Sequence, residues 1–212
     1  MSIDPAEKPL RPSSEAKRDA ILAAASESFF SDGFAASSIE AIAEAASVSK
    51  VTVYNHFGDK KGLFTAAVER ECEKMRGHFS IEAMPGSSLR ARLTAIGEAM
   101  VAFLSRPEMV RFERRIAAET EHEPTIGRAF LAAGPHRMKQ AFADLLSAMD
   151  AAGEVRVPDP ALAAEQFASL CKGMGDLDRR FGLPADPARD CQRIAGAVDL
   201  FCKGYATGDC DD

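Results

Sequence analysis

Between Ser49 and Lys61 the chain gathers small and planar polar side chains at helical spacing. Lys50, Thr52, Asn55 and His56 fall on one face of a short helix, with Tyr54 beside them. As a set these groups donate and accept hydrogen bonds, and two of them can carry positive charge. A short helix with such a face fits the major groove of DNA, where its side chains suit phosphates and base edges. Bond-breaking chemistry has no comparable signal. The chain has no nucleophile elbow, no Gly-rich phosphate loop and no acid and base paired close in sequence, so no catalytic residue is expected. His122 and His136 lack a second ligand at metal-site spacing, and neither a metal nor a cofactor is expected.

The elements that must position this face are two short helices and a turn, Ser37 to Lys61. Ser37 is expected to cap the first helix, with Glu40 completing a capping box. Ile39, Ile42 and Ala43 then make one apolar face. Ala46-Ser47-Val48 is the turn, and Ser49 caps the second helix by accepting from the backbone two or three residues on. Val53 and Phe57 share the inward side. Ahead of this unit, a helix from about Ser14 to Ser31 carries Ile21, Leu22, Ala25 and Phe29, and Gly33 ends it with a left-handed cap. Behind it, Asp59 caps a fourth helix from about Lys60 to Phe79, anchored by Leu63, Phe64, Ala67 and Val68. That helix turns polar at Glu71, Glu73, Lys74 and Arg76, as a connector between two cores would.

From Lys17 to about Glu71 the chain resembles the DNA-binding domain of the TetR/AcrR family of bacterial transcriptional regulators. Phe29, Phe30, Gly33, Phe34, Ile39, Ile42, Ala43, Ala46, Val48, Ser49, Thr52, Tyr54, His56, Phe57, Lys60, Leu63 and Phe64 fit the family pattern. Ser47 departs from it, standing where the family usually has Gly, which adopts positive φ more easily. The resemblance implies a transcription regulator and not an enzyme. It implies that Thr52, Tyr54, His56 and Lys60 hold phosphates. Lys50, Val51 and Asn55 are the better candidates for base edges, and Ser37, Ser38, Ser49 and Lys61 complete the candidate DNA-facing set.

The charge balance bounds how such a face could work. The net charge is −6, and residues 1–74 carry nine Lys and Arg against twelve Asp and Glu. Only residues 47–61, with Lys50, Lys60 and Lys61 against Asp59, turn locally positive. DNA affinity must come from a small, placed patch rather than from bulk charge. The absence of Trp, scarce β-branched runs and abundant Ala, Leu and Glu predict an all-α chain of about nine to ten helices. Five cysteines, with no C-x-x-C, signal neither a disulfide framework nor a zinc site. They read as thiols of a reducing cytoplasm. No apolar run is long enough to span a membrane.

The expected organisation is a flexible arm, 1–14; a DNA-binding unit with its connecting helix, 15–80; a larger helical unit, 81–207; and an acidic tail, 208–212. The break at Met84-Pro85-Gly86-Ser87-Ser88 separates the two units. Helical stripes then follow: Leu89, Leu93, Ile96, Met100, Phe103 and Leu104; Met109, Phe112 and Ile116; Ile126, Phe130 and Leu131; Met138, Phe142, Leu145, Leu146 and Met149. Two long helices close the chain, about Pro160 to Phe181 and Pro187 to Tyr205. The last is apolar on more than one face, so Ile194, Val198, Phe201 and Tyr205 are expected to pair two copies into a homodimer.

Residues Arg111 to about Gly173 also resemble the ligand-binding region of the AefR-like branch of the same family. Glu119, Ile126-Gly127-Arg128, Phe130, Gly134-Pro135, Asp159-Pro160, Ala163 and Phe167 carry that resemblance. It implies a helical effector pocket. The candidate walls are Met100, Phe103, Phe112, Phe130, Met138, Phe142, Phe167, Cys171 and Met174, with Arg115 or Glu119 fixing one polar end of a mainly apolar small molecule. The function so implied is a repressor that leaves a palindromic operator on double-stranded DNA when its effector binds, with efflux or stress genes as targets. The other reading is a helix-turn-helix protein without an effector.

Overall fold

The computed structural model describes residues 13–76 and 88–210. Ten helices make up the described chain. They are α1 Ser14–Asp32, α2 Ile39–Ala45, α3 Lys50–Phe57, α4 Lys60–Arg76, α5 Leu89–Leu104, α6 Pro107–His122, α7 Pro124–Ala133, α8 Pro135–Ala151, α9 Pro160–Arg180 and α10 Pro187–Tyr205. The only extended pairing among the described residues is an isolated antiparallel bridge between Val155 and Ala206. The fold is all-α, as the composition predicts. The expected arm before Ser13, the reach of α4 to Phe79, the break before Ser88 and the last two residues of the acidic tail lie outside the described residues.

The first four helices share one small core. Ile21, Ala25 and Phe29 of α1 meet Leu63, Phe64 and Ala67 of α4, and all six are fully buried. The Phe29 and Phe34 rings each meet Phe64 edge-on with centroids 5.3 Å apart. Such pairs add to the ~1.5–3 kcal/mol that burying an aromatic side chain contributes. Ile39, Ile42 and Val53 close this core from α2 and α3. Between α1 and α2 the chain turns at Gly33, whose φ of 90° is open to glycine but strained for other residues. That is positive φ as expected, although its ψ of 177° lies outside the left-handed helical region.

Two local expectations about α2 and α4 are corrected. Ser38, not Ser37, caps α2, accepting from the Ala41 N–H at 3.0 Å. Glu40 does not close a capping box; its carboxylate pairs with Lys50. Glu71 belongs to the expected polar stretch of α4 but is buried, 3.7 Å from Arg106. The turn of an amphipathic helix that meets two neighbours has a wider buried face than a helix that meets one.

In the larger unit α9 packs on α8 and α10, and α5 packs on α10 and α9. α6 lies against α1, and α7 lies against α4. The stacked pair Phe30 and Phe112, with centroids 4.1 Å apart, joins α1 to α6. One continuous core therefore runs through both units. Inside α9 the helix breaks at Gly173, with φ 48° and ψ −152°. That positive φ is open to glycine and strained for other residues. Below the break, Arg179 and Asp190 form a buried ion pair at 3.1 Å that ties α9 to α10.

The end of the chain differs from expectation in two ways. Cys202 and Cys210 form a disulfide, with Cα atoms 6.0 Å apart, where thiols alone were expected. The Val155–Ala206 bridge and a bond from the Arg90 N–H to the Cys210 carbonyl bring the tail back onto α5 and α10. Ile194, Val198 and Phe201 of α10 have no surface left over; all three are buried within the chain, and Tyr205 is half-buried. Phe201 meets Phe167 edge-on at 5.6 Å, and Ile194 presses against Gly97. The second apolar face of α10 is thus filled by α5 and α9. Exposed apolar side chains of the larger unit lie elsewhere: Leu170, Met174, Leu177 and Phe181 on α9 and just beyond it and Leu200 on α10, besides Leu131, Leu162 and Leu183.

Candidate nucleic-acid interface and ligand chamber

The chain reverses between α2 and α3 at Ser47, the one non-glycine residue of positive φ (54°) among those described. This is the conformation for which glycine is the easier residue. Ser49 then caps α3, accepting from the Thr52 N–H at 3.1 Å, and its hydroxyl also meets that of Thr52 at 2.8 Å. With Val53 buried inward, α3 turns Lys50, Val51, Tyr54 and Asn55 to solvent. Val51 is 65% exposed. Thr52 and His56 are half-buried at the edges of that face.

The serines and lysines around α3 divide differently from expectation. Ser37 is buried; its hydroxyl donates to the Gly33 carbonyl at 2.7 Å and receives a bond from Ser28 at 2.9 Å. It holds the α1–α2 turn and is not available to DNA, whereas Ser38 is exposed. Lys50 is paired with Glu40 and lies 5.7 Å above the Tyr54 ring. Lys60 turns inward, donating to the Ala35 carbonyl at 3.2 Å and lying 4.6 Å over the Phe34 ring. Burial lowers the Lys60 pKa, while Glu119 and Glu123 act in the opposite sense. Lys61 stays exposed beside the N-terminus of α4, where Asp59 accepts from the Gly62 N–H at 2.6 Å.

Behind this unit lies a chamber of about 890 Å³ walled by α4 to α9, with Phe30 of α1. Of the expected wall residues, Met100, Phe103, Phe112, Phe130, Met138, Phe142 and Phe167 line it. Phe142 and Phe167 meet with ring centroids 5.3 Å apart. Four expected residues do not line it. Cys171 is buried against Gly97, and its burial pushes the thiol pKa up to about 12. Met174 follows the break at Gly173 and is 64% exposed. Arg115 and Glu119 face the α1–α2 turn, where the Ala35 N–H donates to Glu119 Oε2 at 3.2 Å.

Residues missed in the sequence complete the walls. Val68 and Cys72 bring α4 into the chamber, and Glu113, Ile116 and Thr120 extend α6 along it. The signal for α6 is its period: Thr120 is one turn past Ile116, and Glu113 flanks Phe112. Glu113 lies 2.9 Å from Arg180. Burial raises its carboxyl above the usual range, with Arg180 pulling the other way. No helix among the described residues is long and apolar enough to cross a membrane.

Comparison with known proteins agrees with this geometry. Residues 21–67 match the bacterial regulatory proteins of the tetR family, and residues 91–207 match the C-terminal domain of AefR-like transcriptional repressors. The HTH-type transcriptional activator FasR of Mycolicibacterium smegmatis is 33% identical over 88 residues, 42% of this chain. The match spans 40% of that relative's length. Among solved structures, a TetR-family regulator from Mesorhizobium loti aligns over 93% of this chain and 100% of its own, at TM-score 0.76 and 26% identity. The flavonoid-responsive regulator FrrA aligns over 92% and 100%, at TM-score 0.69 and 30% identity. With both of its units matched, the chain belongs to the TetR family of bacterial DNA-binding transcriptional regulators, with an AefR-like C-terminal domain, and is not an enzyme.

Proposed function

We propose that the chain is a ligand-responsive repressor that grips a palindromic operator as a homodimer and lets go when a mainly apolar small molecule fills the chamber. One observation carries this reading: α4 and α6 serve both units at once. Val68, Cys72, Phe112 and Ile116 face the chamber, while Leu63, Phe64 and Glu119 on the same helices hold the DNA-binding unit. A ligand that separates those walls tilts α4 and α6 together, and with them α3. The coupling it exerts equals its differential affinity for the two arrangements. In this reading residues 15–80 meet DNA and residues 81–207 hold the effector and the partner copy.

The exposed apolar strip on α9 and α10 supports the homodimer. Phe181 is 81% exposed, and Met174, Leu177 and Leu200 continue the strip. A protein rarely leaves so much apolar surface contiguous unless a partner covers it. To read two half-sites of a palindrome, a pair joined at this strip must present its two α3 helices about one turn of DNA apart, roughly 34 Å. Lys50, Val51 and Asn55 would then meet base edges, with Thr52, Tyr54, His56 and Lys61 on phosphates. Lys60 joins the phosphate set only by leaving Ala35, which makes it a contact that follows the state of the α1–α2 turn.

FasR is an activator, so the sign of regulation depends on where the operator lies relative to a promoter. Efflux or stress genes in the cytoplasm are the first targets to examine, and the flavonoid response of FrrA makes planar apolar compounds the first ligands. The deciding experiment selects the operator from random DNA and titrates candidate ligands against the complex. Specific binding to a palindrome, relieved by ligand, is the expected result. Operator binding that no ligand changes would favour a regulator without an effector.

A further inference from the structure

We propose that Cys202 and Cys210 form a redox modification site: a hydroperoxide closes the two thiols into the disulfide, which ties the segment after α10 to the first turn of α5, and a dithiol reductant opens it again. Neither residue lines the chamber, and the inference does not rest on the effector reading.

The pair is set by its surroundings. Cys202 lies in the last turn of α10 and Cys210 eight residues on, with Cα atoms 6.0 Å apart, within the ~4.4–6.8 Å that a disulfide spans. Between them the chain leaves α10 and lies along two other elements. The Arg156 N–H donates to the Tyr205 carbonyl at 2.7 Å, the Thr207 N–H to the Glu154 carbonyl at 3.2 Å, and the Arg90 N–H to the Cys210 carbonyl at 3.0 Å. The last of these amides belongs to the first turn of α5, which no bond within the helix can satisfy. The disulfide therefore joins three places: the end of α10, the α8–α9 loop and the start of α5. Thr207, Gly208 and Asp209 are exposed, whereas both cysteines are buried. Reagents reach the sulfurs when the exposed segment lifts.

A bacterial DNA-binding regulator works beside the chromosome, where thiol buffers keep cysteines reduced. A pair that closes there is usually transient or redox-sensing rather than structural. Other thiols of the chain are placed differently. Burial pushes Cys171 up to about 12, which leaves it without thiolate near neutral pH. Cys191 is exposed on α10 and free. With the segment lifted, the Cys210 thiolate attacks one oxygen of the hydroperoxide. The S–O bond forms, the O–O bond breaks, and the leaving oxygen takes a proton and departs as water or an alcohol. The Cys202 thiolate then attacks the sulfenic sulfur; the S–S bond forms and hydroxide leaves, protonated to water. Two thiols lose two electrons and two protons, and the peroxide gains both. In the reverse direction a dithiol exchanges onto the bond and ends as its own disulfide.

The test uses the full-length chain with Cys191→Ser, which removes the exposed thiol that could cross-link two copies. Reduced protein treated with hydrogen peroxide should lose a pair of thiols and give, by mass spectrometry, a linked peptide holding Cys202 and Cys210. Closing a loop this short should raise the unfolding midpoint by about 5–10 °C. The Arg90 amide should exchange its hydrogen about tenfold more slowly with the bond closed. Neither difference should survive in Cys202→Ser or Cys210→Ser. Each variant is compared with itself before and after peroxide, so its own loss of stability does not enter. Equilibrated with glutathione, the pair should open when the buffer is mostly reduced and close when it is mostly oxidised. A pair that stays closed in excess reduced glutathione is a structural bond, and a pair that peroxide never closes is no site; either result overturns the proposal. Arg90 exchange that ignores the state of the bond also overturns it, because the disulfide then does not hold α5.

Discussion

Replacing Glu119 by Ala should weaken communication between chamber and DNA more than it weakens either alone. Glu119 reaches across the units from α6 to accept the Ala35 N–H at 3.2 Å. Its Oε1 lies so close to Gly33 that a Cβ there would be 2.5 Å away. A hydrogen bond to a charged acceptor nets about 1.5–3 kcal/mol. The 3.2 Å length and the solvent access of this one place it at the lower end, about 1.5 kcal/mol. If that bond exists in one arrangement of α6 and not in the other, its loss removes about tenfold from the ligand's effect on operator affinity. Glu119→Gln keeps an acceptor without the charge and should cost about half as much. The assay is fluorescence anisotropy on the selected operator, with and without the releasing ligand, for wild type and both variants. Urea unfolding of each variant reports the stability change separately. An unchanged ratio of affinities with and without ligand, beside a lowered unfolding midpoint, would show that Glu119 holds the fold and carries no signal.

Three further outcomes follow from the chamber and the strip. Phe142→Ala or Phe167→Ala should weaken the ligand response while operator affinity without ligand stays within a few-fold, because both rings lie in the chamber wall and far along the chain from α3; unchanged induction in both, measured by the same titration, would place the ligand elsewhere. Met174→Glu with Phe181→Glu should convert a dimer to a monomer in light scattering at micromolar protein, since both side chains are exposed on the apolar strip; a dimer that persists would move the seam off α9. Burial raises the Glu113 carboxyl above its ordinary value of 4.5. The native state then keeps its proton to higher pH than the unfolded state does. This contribution favours folding at low pH and is lost as pH rises from about 4.5 through the raised value. Glu113→Gln should flatten that fall in unfolding midpoints measured between acid and neutral pH, and an unaltered profile would refute the assignment.

What could be read in advance was local. Ser49, Thr52 and Val53 take their places in α3 from spacings of three and four residues, and a helical cap or face needs nothing further away. The chamber's phenylalanines were equally legible, because each belongs to a stripe that must face inward somewhere. What a stripe cannot say is which neighbour covers it. Ile194, Val198 and Phe201 were correctly apolar and wrongly assigned, since α5 and α9 fill that face and leave α9's own outer side bare. Met174 was misplaced through one residue: the break at Gly173 ends the periodicity that would have carried it into the chamber. The Cys202–Cys210 pair was hidden for the same kind of reason, because only the return of the tail along Val155 and Arg90 brings the two together.

Arg115 and Glu119 show what that limitation means for function. They were placed in the chamber because they lie on the helix that lines it, and a ligand needs a polar anchor. On α6, however, residues one position from the lining stripe point about 100° away. Phe112, Ile116 and Thr120 therefore face the chamber while Arg115 and Glu119 face the α1–α2 turn. The two jobs are divided within two turns of a single helix. On the proposed reading, a small rotation of α6 about its axis changes both surfaces at once, and no longer chain of contacts is needed between ligand and DNA-binding unit. It also follows that neighbouring positions can be perturbed independently: Ile116 alters the wall without touching Ala35, and Glu119 alters the contact with Ala35 without touching the wall.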